Sequence, residues 1–157
     1  GTRFTYATGQ LVLWSAKPGF VDNQGAVLKS GNFNKIALAN PKNAPYGAAA
    51  VETMEKLGLT AALQPKLVTG ESIGQTYNFI ATGNAELGFV ALAQVLDGGK
   101  LKSGSMWVVP AKYHAPIIQD AVILKRAAAN PAAKAWMALM RSPNTQDFIR
   151  SYGYEVK

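Results

Sequence analysis

The chain has 157 residues, 16 Lys plus Arg against 9 Asp plus Glu, a formal charge of +7, and 48% apolar, 10% aromatic and 16% charged side chains. This length suits one ordinary domain or two small lobes, and the composition excludes a disordered, highly charged polymer. The absence of cysteine excludes a disulfide scaffold, a thiolate metal site and a cysteine nucleophile, and it leaves the redox compartment open.

No apolar run approaches the ~20 residues of a membrane helix. The opening Gly1-Thr2-Arg3-Phe4 carries neither a signal peptide nor an initiator Met, and reads as a mature, trimmed or truncated end. The positive balance favours anionic partners. Yet Lys and Arg are scattered, and the densest groups, Lys100/Lys102 and Lys125/Arg126, are only pairs. With no RNA-recognition motif, zinc-finger spacing or basic helix, the expectation is a basic surface and no nucleic acid.

Gln10–Ser15 is a largely apolar run with β-branched and aromatic residues, and predicts a buried strand. Residues 16–34, punctuated by Pro18, Gly19, Gly25 and Gly31, predict a loop with at most a turn of helix. A second strand follows at Lys35–Asn40, and then a turn-rich stretch to Gly47. A helix is expected from Tyr46 to Leu57, with Ala50, Met54 and Leu57 on one stripe, a Glu52/Lys56 pair at i, i+4 and Gly58 as terminator. Lys66–Thr69 reads as a strand, Ile73–Ala81 as a helix closed by Gly83, and Glu86–Leu92 as another strand. Further strands are expected at 105–110 and 116–125. Asn130-Pro131 and Ser142-Pro143 both start helices, with Trp136, Leu139 and Met140 on one apolar face and Phe148, Ile149 and Tyr152 on the other. The alternation predicts an α/β fold with largely parallel pairing. Ala121-Val122-Ile123-Leu124 is apolar on both faces and calls for neighbours on both, and the last two helices call for a sheet to cover. Part of the last lobe therefore reads as missing.

Enzymatic constellations are scarce. His114 is the sole histidine and is expected on a loop surface. No G-x-S-x-G elbow, P-loop, G-x-G-x-x-G or acidic metal cage is present. The helix starts are more informative. Pro45-Tyr46-Gly47-Ala48 and Glu71-Ser72-Ile73-Gly74 put small or glycine-flanked backbone at helix N-termini, where first-turn amides lack intrahelical partners and favour an anion. The Tyr46 hydroxyl is a further potential donor, or simply part of the packing.

Arg3-Phe4-Thr5-Tyr6-Ala7-Thr8-Gly9-Gln10-Leu11-Val12-Leu13-Trp14-Ser15 resembles the segment entering the second lobe of periplasmic molybdate-binding proteins, the ModA family. Ala39-Asn40-Pro41-Lys42-Asn43-Ala44-Pro45-Tyr46-Gly47 resembles that family's binding turn, Leu87–Gln94 a later strand of the lobe, and Arg150-Ser151-Tyr152-Gly153-Tyr154 its C-terminal signature. The segments keep the family's order and spacing across essentially the whole chain.

The resemblance implies a two-lobed periplasmic solute-binding-protein fold (type II), with the first lobe incomplete in this chain. Residues 1–10 would form a crossover segment, 11–112 the second α/β lobe, and 113–157 a crossover and the returning part of the first lobe. It implies a non-enzymatic receptor that binds molybdate or tungstate between the lobes and serves the membrane permease of an ABC transporter from the periplasm, with no cofactor. Tyr46 would offer its amide or hydroxyl to the oxyanion and Ile73 its amide, with Pro45, Gly47, Ser72 and Gly74 around them. Some relatives use a Tyr in the strand after Gly88; that place is Ala91, which has no side-chain donor, so Tyr46 is expected to substitute. The family's first segment, with its Ser/Thr/Asn ligands, is absent, which predicts weak or no binding by the isolated chain unless a second chain completes the lobe. The alternatives are a receptor for sulfate or phosphate, an effector-binding domain of a transcription regulator, and, least favoured, an enzyme using Tyr46 or His114.

Overall fold

The computed structural model describes all 157 residues. In chain order the elements are β1 (Phe4–Gly9), β2 (Leu11–Ser15), α1 (Ala26–Ser30), β3 (Ile36–Ala39), α2 (Pro45–Lys56), α3 (Thr60–Leu63), β4 (Leu67–Gly70) and α4 (Ile73–Ala81). There follow β5 (Leu87–Ala91), α5 (Leu92–Val95), β6 (Leu96–Asp97), β7 (Lys100–Leu101), β8 (Ser105–Val108), β9 (Ile117–Ala121), α6 (Pro131–Met140) and α7 (Pro143–Ser151). None of the helices is long and apolar enough to cross a membrane.

A five-stranded sheet of order β4-β3-β5-β2-β8 forms the centre. β3 is parallel to β4 and to β5, whereas β2 is antiparallel to β5 and to β8. The expectation of largely parallel pairing is therefore corrected to a mixed sheet. Crossovers link β3, β4, β5 and β8, which all run one way; β2 alone enters from β1 with no crossover and runs the other way.

Period-two alternation divides the sheet between two cores. Leu11, Leu13, Ile36, Leu38, Leu87 and Phe89 face α2, where they meet Ala49, Ala50 and Met54. Val12, Trp14, Ala37 and Val90 face α4 and meet Ile80. On that side Trp14 stacks on Tyr77, the ring centroids 5.1 Å apart. The chain moves outward from β3 to β4 and then back across β3 to β5, so α2 and α4 cover opposite faces.

α2 ends as expected. Gly58 takes φ +70°, and the Leu59 amide closes on the Met54 carbonyl at 2.9 Å. The expected Glu52/Lys56 pair does not form. Glu52 instead accepts from the Ala115 amide at 2.7 Å, and Lys56 donates to the Lys112 carbonyl at 3.1 Å. Both clamp α2 to the 112–115 loop, where stronger backbone partners outcompete a solvent-screened ion pair.

β1 and β9 form a separate antiparallel ribbon. Residues beyond it carry α6 and α7 but no sheet. Asn130 and Ser142 cap them as the sequence predicts, accepting from the Ala132 and Thr145 amides. Their apolar faces remain open, with Trp136 61% and Phe148 63% exposed. The expected strand at 116–125 stops at Ala121, and Val122 and Leu124 are likewise exposed. These residues have the apolar pattern of a core and no layer opposite them.

Candidate functional site

β3, β4 and β5 run in the same direction, so their carboxyl ends share one edge of the sheet. The chain turns there from β3 to one face and from β4 to the other, which is a topological switch point. In open α/β sheets such a point is the usual place for a ligand crevice. α2 and α4 both begin at this edge, on opposite sides of it.

The α2 terminus is built by close approach. A Cβ on Gly47 would fall 2.0 Å from the Ala39 carbonyl oxygen, so only glycine lets the first turn pack against the end of β3. Ala44, the residue before the helix, offers no capping side chain, and Pro45 has no amide hydrogen. The Tyr46 amide is thus the first N–H of α2, and no intrahelical carbonyl lies behind it.

At α4, the Ser72 hydroxyl caps the helix by accepting from the Gln75 amide at 3.1 Å. The Ile73 and Gly74 amides remain without i−4 partners. Gly74 stands in open space: a Cβ there would meet only Ser72 Oγ, at 3.8 Å.

Asn40, Glu71 and Gln94, to which the sequence reading gave no role, tie these ends together. The Asn40 amide donates to the Gly70 carbonyl at 2.7 Å, joining the ends of β3 and β4. The Asn40 side chain donates to Glu71 at 3.3 Å, which spends the carboxylate on a neutral amide beside the turn. Gln94 accepts from the Ala91 amide at 3.0 Å and donates to the Ile73 carbonyl at 3.2 Å, joining the end of β5 to the start of α4. The signal available for them was their location: Asn40 and Gln94 stand within stretches already singled out, Asn40 at the end of an expected strand.

Tyr46 itself is buried, and its hydroxyl is occupied. Gln119 of β9 donates to it at 3.2 Å, and burial, reinforced by nearby Tyr154, pushes the hydroxyl well above the ordinary phenol range. It therefore stays protonated at any physiological pH. Ala91 is buried opposite Leu11 and brings no polar atom to the edge.

His114 is not on the surface as the sequence suggested; it is 8% exposed. Its Nδ1 donates to the Ala115 carbonyl at 2.8 Å, and the ring lines a cavity of about 220 Å³ with Thr8, Pro110 and Glu155. Flanked by Pro110 and Pro116 and by the two clamps from α2, this loop is folded inward. The hydrogen bond of His114 goes to a backbone carbonyl and to no nucleophile.

The chain thus holds one α/β unit with two helix starts at its switch point, entered and left through a two-stranded ribbon. The family model of bacterial extracellular solute-binding proteins matches residues 1–155, and the chain belongs to that family. Among individual relatives, the molybdate-binding protein ModA of Azotobacter vinelandii is 59% identical over 157 residues. The protein of the same name from Rhodobacter capsulatus is 55% identical over 154 residues. The chain spans 62% and 60% of their respective lengths. Among solved structures, a periplasmic molybdate-binding protein of Azotobacter vinelandii superposes with a TM-score of 0.95 at 46% identity, covering all of this chain and 69% of that one. A putative molybdenum transporter's substrate-binding domain from Clostridium difficile shares the fold, with a TM-score of 0.74 at 23% identity.

Proposed function

We propose that this chain is part of a periplasmic receptor that binds molybdate or tungstate and hands it to the membrane permease of an ABC transporter, without catalysing a reaction. The observation that carries the reading is the pair of open helix starts, Tyr46 on α2 and Ile73 on α4, at the carboxyl ends of two adjacent parallel strands. The names of the relatives support the choice of anion, and the unpartnered first-turn amides support the choice of donors.

Molybdate is a tetrahedral dianion. Amide donors with helix dipoles behind them bind such an ion by replacing its hydration with short charge-assisted hydrogen bonds. No cationic side chain is needed, and a site without a fixed ion pair releases its cargo more readily. Sulfate carries the same charge, so discrimination rests on the size of the cavity. Closing the other lobe over the α2 and α4 starts completes the cage and presents a distinct shape to the permease. In this reading the open faces of Val122, Leu124, Trp136 and Phe148 belong to that lobe and are where its remaining part, or a second chain, packs.

Thermal unfolding with sodium molybdate, against sodium sulfate, tests the reading. It is run on this chain and on the chain joined to the remaining portion of a relative. A ligand that binds only the folded state raises the midpoint in proportion to ln(1 + [L]/Kd). The expected result is a molybdate-specific rise in the joined protein and little or none in the 157-residue chain. A sulfate rise equal to the molybdate rise would overturn the assignment in favour of a general oxyanion receptor.

A further inference from the structure

Three segments converge on the side chain of Gln119. Its Oε1 accepts from the Tyr6 hydroxyl of β1 at 2.9 Å, and its Nε2 donates to the Tyr46 hydroxyl of α2 at 3.2 Å. Gln119 itself stands on β9, opposite Ala7 in the ribbon. The hydroxyl of Tyr46 lies directly over Gly9, the last residue of β1. A Cβ on Gly9 would fall 2.1 Å from that oxygen and 3.0 Å from Gln119 Nε2. The contact therefore exists only because position 9 has no side chain.

Tyr46 consequently has two ends with different surroundings. Its amide is the first N–H of α2, at the switch-point edge; its hydroxyl is fastened to the ribbon. The only covalent path from the five-stranded unit to α6 and α7 runs along β9. A change in the angle of the ribbon must move Gln119, and a packed aromatic ring transmits that movement rigidly to the first turn of α2. The hydroxyl remains protonated because it is buried, so it keeps a proton to donate as well as lone pairs to accept.

We propose that Gln119 is a positioning residue that ties the first turn of α2 to the β1/β9 ribbon, so that anion capture at α2 and the angle of the ribbon are coupled through Tyr46. The coupling to an anion rests on the oxyanion reading given above; the mechanical tie does not.

Hydrogen exchange separates the two: the anion-free comparison is made on this chain, and the molybdate comparison on this chain joined to the remaining portion of a relative. The informative amides are Gly47 and Ala48, both bonded to the Ala44 carbonyl, and those of the ribbon from Thr5 to Gly9 and Ile117 to Gln119. Without anion, Gln119→Leu is expected to speed exchange at least five-fold in both places. Gln119→Glu can accept a hydrogen bond from each tyrosine hydroxyl and is expected to restore rates to within two-fold of the unsubstituted chain. Acceleration confined to β9, or failure of Gln119→Glu to restore, overturns the tie. With sodium molybdate, the unsubstituted protein is expected to slow at both places and Gln119→Leu at α2 only. Equal slowing of the ribbon in Gln119→Leu overturns the coupling. If molybdate slows no amide in the unsubstituted joined protein, the oxyanion reading fails, while the anion-free comparison still decides the tie.

Discussion

α2 and α6 are helices of similar length, each started by proline and each with an apolar stripe, yet they end in opposite environments. In α2, Ala50 and Met54 are sealed against the sheet; in α6, Trp136 and Leu139 are more than half exposed. The difference does not lie in the helices. Capping and periodicity are local and are satisfied in both, whereas burial requires a second layer, which the five strands provide for α2 and nothing in these 157 residues provides for α6. An apolar stripe is thus a request for cover, and here the request is met at one end of the molecule only.

The largest expected effect lies in the covered region. Phe89, 1% exposed, occupies the centre of the sheet face under α2. Phe89→Ala should cost about 3–5 kcal/mol, through lost burial and an uncollapsed cavity. Phe148→Ala, on the open face, should stay within about 0.5 kcal/mol. Urea unfolding of both variants checks the pair, and equal losses would break the comparison.

A smaller effect distinguishes the two helix starts within the covered unit. Gly47→Ala must push α2 away from the Ala39 carbonyl, at about 1–3 kcal/mol. On the proposed function it should also weaken molybdate binding more than ten-fold by displacing the Tyr46 amide. Gly74→Ala meets only an ordinary contact and adds a better helix former, so its unfolding midpoint should stay or rise. A Gly74→Ala variant as unstable as Gly47→Ala would show that the start of α4 is packed as tightly as that of α2.

Glu86 sharpens the same comparison electrostatically, because it fastens the beginning of β5 to the beginning of β3. Burial alone would raise its pKa. The amides of Asn34 and Lys35, at 3.0 and 2.9 Å, and the charge of Lys17 outweigh that and hold the carboxyl below its usual range. A lowered folded pKa contributes stability that is complete above the ordinary carboxylate range and is lost as the pH falls through the folded value. Glu86→Gln should therefore be about 1 kcal/mol less stable at pH 7, with the gap closing below about pH 4. Urea midpoints at pH 7, 5 and 3 measure it; a gap that widens on acidification would reverse the sign.

Much of this was legible in the residues. The stripe of Ala50 and Met54, the Gly58 stop and the Asn130 and Ser142 caps are short-range chemistry, and each stands where its pattern put it. The mixed pairing was not legible, since the direction of β2 depends on its entry through the ribbon. Neither was the burial of His114, because the clamps from Glu52 and Lys56 reach across 63 and 56 residues. At the candidate site, the helix starts at Tyr46 and Ile73 were legible from Pro45 and Ser72. Gln119 was not, and Gln94 only by its place in a stretch already singled out, because the role of a glutamine shows only when its two ends are seen to join different elements.

The smallest expected effect probes the open face directly. Trp14 and Trp107 are buried and Trp136 is 61% exposed, so Trp136 alone reports on that face. In the 157-residue chain, Trp136→Ser should change stability by no more than about 0.5 kcal/mol, and iodide should quench Trp136 selectively. Joined to the remaining portion of a relative, the same substitution should cost about 2 kcal/mol or more, because a large aromatic side chain would now be leaving a core. Should iodide fail to reach Trp136 in the short chain at high concentration, yet reach it on dilution, the cover is a second copy of the chain. The contrast between α2 and α6 would then be one of partners and not of missing sequence.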